Sequence, residues 1–307
     1  MNSAFTGKNM AKSEPAMVGF EISQRLTTKA PRHKKTSDFS AMIHLKSFEL
    51  RPLPATEAYP FSLPLLKTLK ELRFERPVTL LVGENGSGKS TLLEALACAA
   101  EMVVVGSEST RSDASLGPAR ELAKYFKLAW SKRTHRGFFL RAEDFFGYAK
   151  RINQMRAGMQ EDLREIDEEY KVRSDYARDL ATLSTASGLG DLRRRYGEGL
   201  DARSHGESFL ALFQARFVPD GLYLLDEPEA PLSPIRQLAL ISAIKNMLTQ
   251  NGQFIIATHS PILMAFPEAA ILNFDGGQIH TARYDELEHV RLMRDFLQDP
   301  DAFLRKL

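Results

Sequence analysis

The chain has 307 residues, 43% of them hydrophobic and 26% charged, with a formal net charge of +2. That is the composition of an ordinary soluble globular protein, long enough for one large domain or two small ones and for a sizeable core. The single cysteine, Cys98, excludes an internal disulfide and points to a reducing, cytoplasmic setting, and no run reaches the apolar length of a transmembrane helix.

The charge is unevenly placed. Residues 1–40 hold seven Lys or Arg against three Asp or Glu, which leaves the remainder slightly acidic and no general nucleic-acid binder. Residues 1–41 are polar, lack periodicity and read as a disordered tail, with Met42 as an alternative start. The basic run Lys29–Lys35 within it has two readings, a solvated segment or a nucleic-acid contact.

Residues 42–50 (MIHLKSFEL) alternate as a strand, and Pro52, Pro54, Pro60 and Pro64 then make an irregular connection. Residues 72–75 and 77–82 (PVTLLV) read as two more strands, and Ser90–Met102 as a helix. A Ser/Gly/Asp loop spans 106–118. Residues 125–141 hold one or two strands, with Trp130, Phe138 and Phe139 as core candidates. From Asp144 to about Ser184, Ile152, Met155, Met159, Leu163, Ile166 and Tyr170 recur at spacings of three and four. That predicts a packed helical hairpin, ended by Ser187–Gly190 and followed by a solvated Arg193–Arg195 triplet. A helix over 209–217, a strand over 221–226, a helix over 234–250, a strand over 253–258 and a small hairpin over 270–281 follow. Residues 285–307 read as one or two helices. Buried strands alternating with helices predict an α/β fold, its sheet mostly parallel and covered on both faces, with antiparallel strands near the N-terminus. The expected layout is a tail (1–41), a split core (42–143 and 204–283), a helical insert (144–203) and C-terminal helices (284–307).

The rest of the chain is organised around Gly83-Glu84-Asn85-Gly86-Ser87-Gly88-Lys89-Ser90-Thr91. It reads as G-x-x-x-x-G-K-[ST], the phosphate-binding loop, between a strand and a helix as the mechanism requires. The glycines let backbone N–H groups turn inward around phosphate oxygens, and the helix N-terminus adds partial positive charge. Lys89 supplies charge for the β- and γ-phosphates of ATP, and the Ser90 hydroxyl is a ligand for Mg²⁺. Asp226 ends the apolar strand LYLLD, where a Walker B aspartate holds Mg²⁺, and Glu227 beside it is placed to take a proton from attacking water. Tyr59, Phe61 and Phe74 are candidates to stack on adenine, with core packing or loop anchoring as the alternative for each.

A helical insert separates the two motifs. This arrangement resembles the ATP-binding-cassette (ABC) class of P-loop NTPases, in the compact soluble branch related to SMC, RecF and OLD-like proteins, over residues 42–283. Ser204-His205-Gly206-Glu207 stands where that class carries its LSGGQ-type signature. Ser204, Gly206 and Glu207 match, and His205 replaces a glycine; Ser204 and Glu207 equally form a helix-capping box. His259, after the strand QFIIAT, stands where the class carries a switch histidine facing the γ-phosphate. Residues 230–234 take the place of the D-loop without its common sequence. The glutamine that usually opens the insert is missing, and Glu143 is the stand-in.

The resemblance implies Mg²⁺-dependent ATP hydrolysis by a head-to-tail homodimer. Ser204, Gly206 and Glu207 of one subunit would close over the other's ATP. The partner would be a protein or nucleic acid, in DNA maintenance or defence. Two other functions fit the same motifs: the ATPase subunit of a membrane transporter, and a nucleotide-dependent interaction switch with little turnover.

Overall fold

The computed structural model describes residues 42–105, 110–171, 174–196 and 205–305. The expected tail (1–41) and Ser204 lie outside the described residues.

Two sheets form among them. In the smaller one, β1 (Leu45–Leu50) pairs antiparallel with β2 (Glu71–Arg73) and with β4 (Phe126–Trp130). The larger has the order β5 (Gly137–Arg141), β6 (Leu222–Asp226), β7 (Gln253–Ala257), β3 (Val78–Val82), β8 (Ala270–Asn273) and β9 (His280–Thr281). Its first five strands are parallel, and only β9 runs antiparallel to its neighbour.

The apolar runs explain why this sheet is buried on both sides. Successive side chains along a strand point to opposite faces. Leu80, Val82, Tyr223, Leu225, Phe254 and Ile256 share one core, with α6 (His205–Arg216) and α7 (Pro234–Leu248) packed on it. Leu81, Leu222, Leu224, Ile255 and Ala257 share the other, covered by α2 (Lys89–Ala99) and by Leu45 and Phe48 of β1. One side chain joins the two sheets. The fully buried Gln253 accepts from the Leu45 N–H at 2.8 Å and donates to the Leu45 carbonyl at 2.9 Å.

The insert is a hairpin of α4 (Ala142–Glu169) and α5 (Asp175–Tyr196). Its second helix does not stop at Ser187–Gly190 but runs through both glycines. Gly188 lies against α4, where a Cβ would come within 3.3 Å of the Met159 methyl. The residue answers to close helix packing rather than to chain termination. Met155 is 52% exposed, because a two-helix hairpin has one interface in which to bury its stripe. Trp130 is half-buried at the edge of its core, whereas Phe138 and Phe139 are fully inside.

The insert is rooted by Arg141, the last residue of β5 and the register partner of Asp226. Its guanidinium is buried and spans Asp144 (2.7 Å), Ser115 (3.0 Å), Asp113 (3.1 Å) and Glu94 of α2 (3.3 Å). Burial works against its charge. The hydrogen bond and charge of Asp144, then the charges of Glu94 and Glu143, outweigh that and hold its pKa above the ordinary value. Glu143 is 74% exposed and pairs with Arg141 from outside, at 3.4 Å.

Removing one partner of a buried ion cluster strands the rest. Arg141→Ala is expected to cost about 3–5 kcal/mol in urea unfolding. A loss below about 1 kcal/mol, the size of a surface ion pair, would show that the cluster is not the root of the insert.

Candidate functional site

Parallel strands deliver their carboxyl ends to one edge, where ligands bind in open α/β sheets. Here that edge receives the phosphate loop from β3, Thr258–Ser260 from β7, and Asp226 with Glu227 from β6. Because β7 lies between β3 and β6, His259 falls between the loop and the acids.

The loop geometry follows from its glycines. Gly88 sits at φ 95° immediately before α2, and a Cβ there would lie 2.2 Å from a Leu65 methyl of α1 (Pro64–Thr68). Gly83 sits at φ 139°, with the Asp275 carboxylate 2.9 Å from where its Cβ would be. No larger residue fits either place. Asp275 also accepts the Glu84 N–H at 2.7 Å and so braces the loop from outside.

Lys89 is buried and donates to the Gly83 and Glu84 carbonyls, each at 2.7 Å. Burial lowers its pKa, against the attraction of Glu227, Asp226 and Asp275. The Ser90 hydroxyl donates to Asp226 Oδ1 at 3.1 Å. Burial pushes the Asp226 carboxyl up to about 7, against the Ser90 hydrogen bond and reinforced by the negative charge of Glu227. A hydroxyl and a buried carboxylate are hard oxygen donors, and Mg²⁺ takes one or two such protein ligands beside phosphates and water. The donor set fits that ion.

Glu227 is displayed rather than buried. Its backbone turns to φ 48°, uncommon for a residue with a side chain, while its N–H holds the Ala257 carbonyl at 2.9 Å. His259 Nε2 lies 3.7 Å from Glu227 Oε1, too long for a direct hydrogen bond. Burial and the charge of Lys89 lower the His259 pKa, so the ring is neutral at pH 7.

The residues expected at the site therefore divide. Gly83 through Thr91, Asp226, Glu227 and His259 come together at one edge. Gly206 and Glu207 lie in the first turn of α6. Of the aromatics, Phe74 is buried in the core, and Phe61 packs edge-on to Tyr125 with ring centroids 5.6 Å apart. Tyr59 is 56% exposed, and its hydroxyl is 2.8 Å from the Thr91 hydroxyl, beside the loop. Cys98 is half-buried, its thiol pushed up by burial to about 11, which leaves it inert. Two residues went unnoticed in the sequence: Asp275, in an Asp-Gly-Gly turn, and Glu229, the second glutamate of Asp-Glu-Pro-Glu.

Residues 65–175 match a family model described as AAA domain, and residues 208–265 match one described as AAA domain, putative AbiEii toxin, Type IV TA system. Both matched segments are of AAA-domain type, carried on a mostly parallel sheet that bears the phosphate loop. No curated protein matches it. Among solved structures it is similar to the Smc head domain of Pyrococcus furiosus, crystallised with the C-terminal domain of ScpA. That pair shares 13% identity, covers 82% of this chain and 99% of the other, and has a TM-score of 0.44. It is also similar to cbiO1 of Clostridium perfringens, part of the ABC transporter complex cbiONQ. There the identity is 15%, the coverage 86% and 99%, and the TM-score 0.42. A putative metal-chelate type ABC transporter matches at 16% identity over 82% of this chain and 88% of its own, with a TM-score of 0.44. No helix among the described residues is long and apolar enough to cross a membrane.

The raised Asp226 pKa makes the fold pH-sensitive. Above pH 4 the unfolded carboxyl has lost its proton, while the folded one keeps it up to about pH 7. Stability therefore falls as pH rises through that window and levels off above it. Asp226→Asn is expected to be more stable than the parent at pH 8 without Mg²⁺, by on the order of 1–4 kcal/mol. The gain should shrink toward pH 4. Urea unfolding at both pH values checks this; a gain that does not depend on pH refutes the assignment.

Proposed function

We propose that the chain binds ATP with Mg²⁺ and hydrolyses it, as a head-to-tail dimer around two nucleotides. The observation that carries the reading is the Ser90 hydroxyl on Asp226 at 3.1 Å, a contact between two motifs far apart in the chain. A hydroxyl and a carboxyl so paired at the start of the helix after the loop support the reading of a metal site there.

The Gly83–Gly88 backbone and Lys89 hold the phosphates. The two carbonyl bonds of Lys89 keep its ammonium at the loop mouth until phosphate oxygens replace them. Ser90 and Asp226 hold the Mg²⁺, which when bound supplies charge neutralisation to the β- and γ-phosphates. Glu227, half-exposed at the cleft, takes the proton of the attacking water. His259, neutral at pH 7, donates a hydrogen bond to the γ-phosphate. Tyr59 offers its ring to the adenine. Ser204, Gly206 and Glu207 of a second copy complete each site by presenting a helix start to the γ-phosphate.

The second family model, whose description includes a toxin–antitoxin system, supports a setting in defence. ATP closure would act on a protein or nucleic-acid partner through the insert, whose root shares Arg141 with the phosphate-loop helix.

Glu227→Gln is expected to keep ATP affinity, lower phosphate release by about 10²-fold or more, and accumulate an ATP-bound dimer in light scattering. ADP should leave it monomeric, and Lys89→Ala should abolish dimerisation by removing the phosphate grip. A Glu227→Gln protein that stays monomeric at saturating ATP sinks the sandwich. Undiminished phosphate release sinks the role of Glu227.

A further inference from the structure

We infer that Glu229 is a positioning residue that sets His259 against the reacting end of the nucleotide. This deepens the ATPase reading and rests on it. The carboxylate of Glu229 reaches across from the turn after β6 to the turn after β7. Its Oε1 accepts the His259 N–H at 2.6 Å and the Ser260 N–H at 3.1 Å. These are charge-assisted bonds, and the first is short for an amide donor. Its Oε2 is buried; burial raises the pKa of the carboxyl, and hydrogen bonds from the Thr258 side chain and the His259 amide work against that.

The surroundings stiffen the same link. The Glu229 carbonyl accepts the Leu232 N–H at 2.8 Å, which closes the turn on the Glu229 side. Ser260 caps α8 (Pro261–Met264) and donates to Gln237 at 2.5 Å, while Gln237 donates back to the Leu232 carbonyl at 3.1 Å. The loop bearing Glu227 and the loop bearing His259 are thus one hydrogen-bonded unit, with Glu229 as its charged member. Glu227 is two residues away on one side of this unit, and His259 is its direct acceptor-bound partner on the other. A shift of either turn therefore moves the base and the switch histidine together.

The test uses the full chain and has two readouts. In proton NMR the His259 amide should resonate well downfield, as a short bond to a carboxylate requires. Glu229→Gln, nearly isosteric, should move it upfield. Glu229→Asp, which keeps the charge but is one methylene short, should move it in the same direction. An unchanged His259 amide in both variants overturns the assignment, whether or not the protein turns over ATP.

In steady-state kinetics Glu229→Gln should lower kcat by roughly ten- to a hundredfold, the rate equivalent of one charge-assisted hydrogen bond. ADP affinity should hold within about twofold. In a His259→Ala background the same change should have almost no further effect on kcat, since residues acting as a unit are non-additive. Full additivity overturns the proposal. Absence of ATP hydrolysis in the parent protein would instead count against the ATPase reading alone, with the NMR result still deciding Glu229.

Discussion

The hydrogen bond between Ser90 and Asp226 constrains this structure more than any other contact at the site. It requires β3 and β6 to end at the same edge with one strand between them, and the parallel register supplies that. It also requires an acid deep enough to lose its water. The cost appears in the carboxyl itself, held up to about 7 by burial. The Asp226 carboxyl is buried against Ser90, and the Lys89 ammonium is held by the Gly83 and Glu84 carbonyls. On the proposed reading, a divalent ion would give Asp226 a counter-charge and phosphate oxygens would replace the carbonyls on Lys89.

The surrounding fold reads as support for that edge. The small antiparallel sheet and α2 cover one face, and α6 with α7 cover the other, so the five parallel strands are fixed from both sides. Gln253 bonds both backbone groups of Leu45, and the small sheet cannot slide on the larger without breaking a buried pair. Asp275 braces the phosphate loop at Glu84, while Leu65 fills the space that Gly88 leaves. Rigid backing on every side suits a loop whose work is to hold amides still while charge arrives.

Much of this was legible in the sequence, for identifiable reasons. The phosphate loop, LYLLD and QFIIAT each combine an apolar strand with polar residues at its end, and that pattern survives any tertiary context. Where the reading went astray, the deciding facts were spatial. Gly188 and Gly190 look like a stop because glycine is a poor helix former, but α5 runs through both and packs Gly188 close against the end of Met159. Arg141 was not seen as the root of the insert, because local spacing does not show that it turns inward while Glu143 stays exposed. Glu229 and Asp275 escaped notice because each acts on a backbone amide distant in sequence, and nothing in their neighbours announces it. Among the aromatics, only the contact with Thr91 separates Tyr59 from Phe61 and Phe74.

Arg141 and Glu229 stand at two of the neighbouring turns along the same edge, and they do complementary work. Arg141 gathers carboxylates from α2, the 113–115 turn and the start of α4, so it ties the phosphate-loop helix to the insert. Glu229 gathers amides from the His259 turn, so it ties the turn after β6 to the turn after β7. One is a buried cation that needs anions, and the other a buried anion that needs donors. Both use side chains at the ends of a parallel sheet to tie neighbouring turns and helices together. Packed cores move as units and not by gradual deformation, so links of this kind transmit motion in steps.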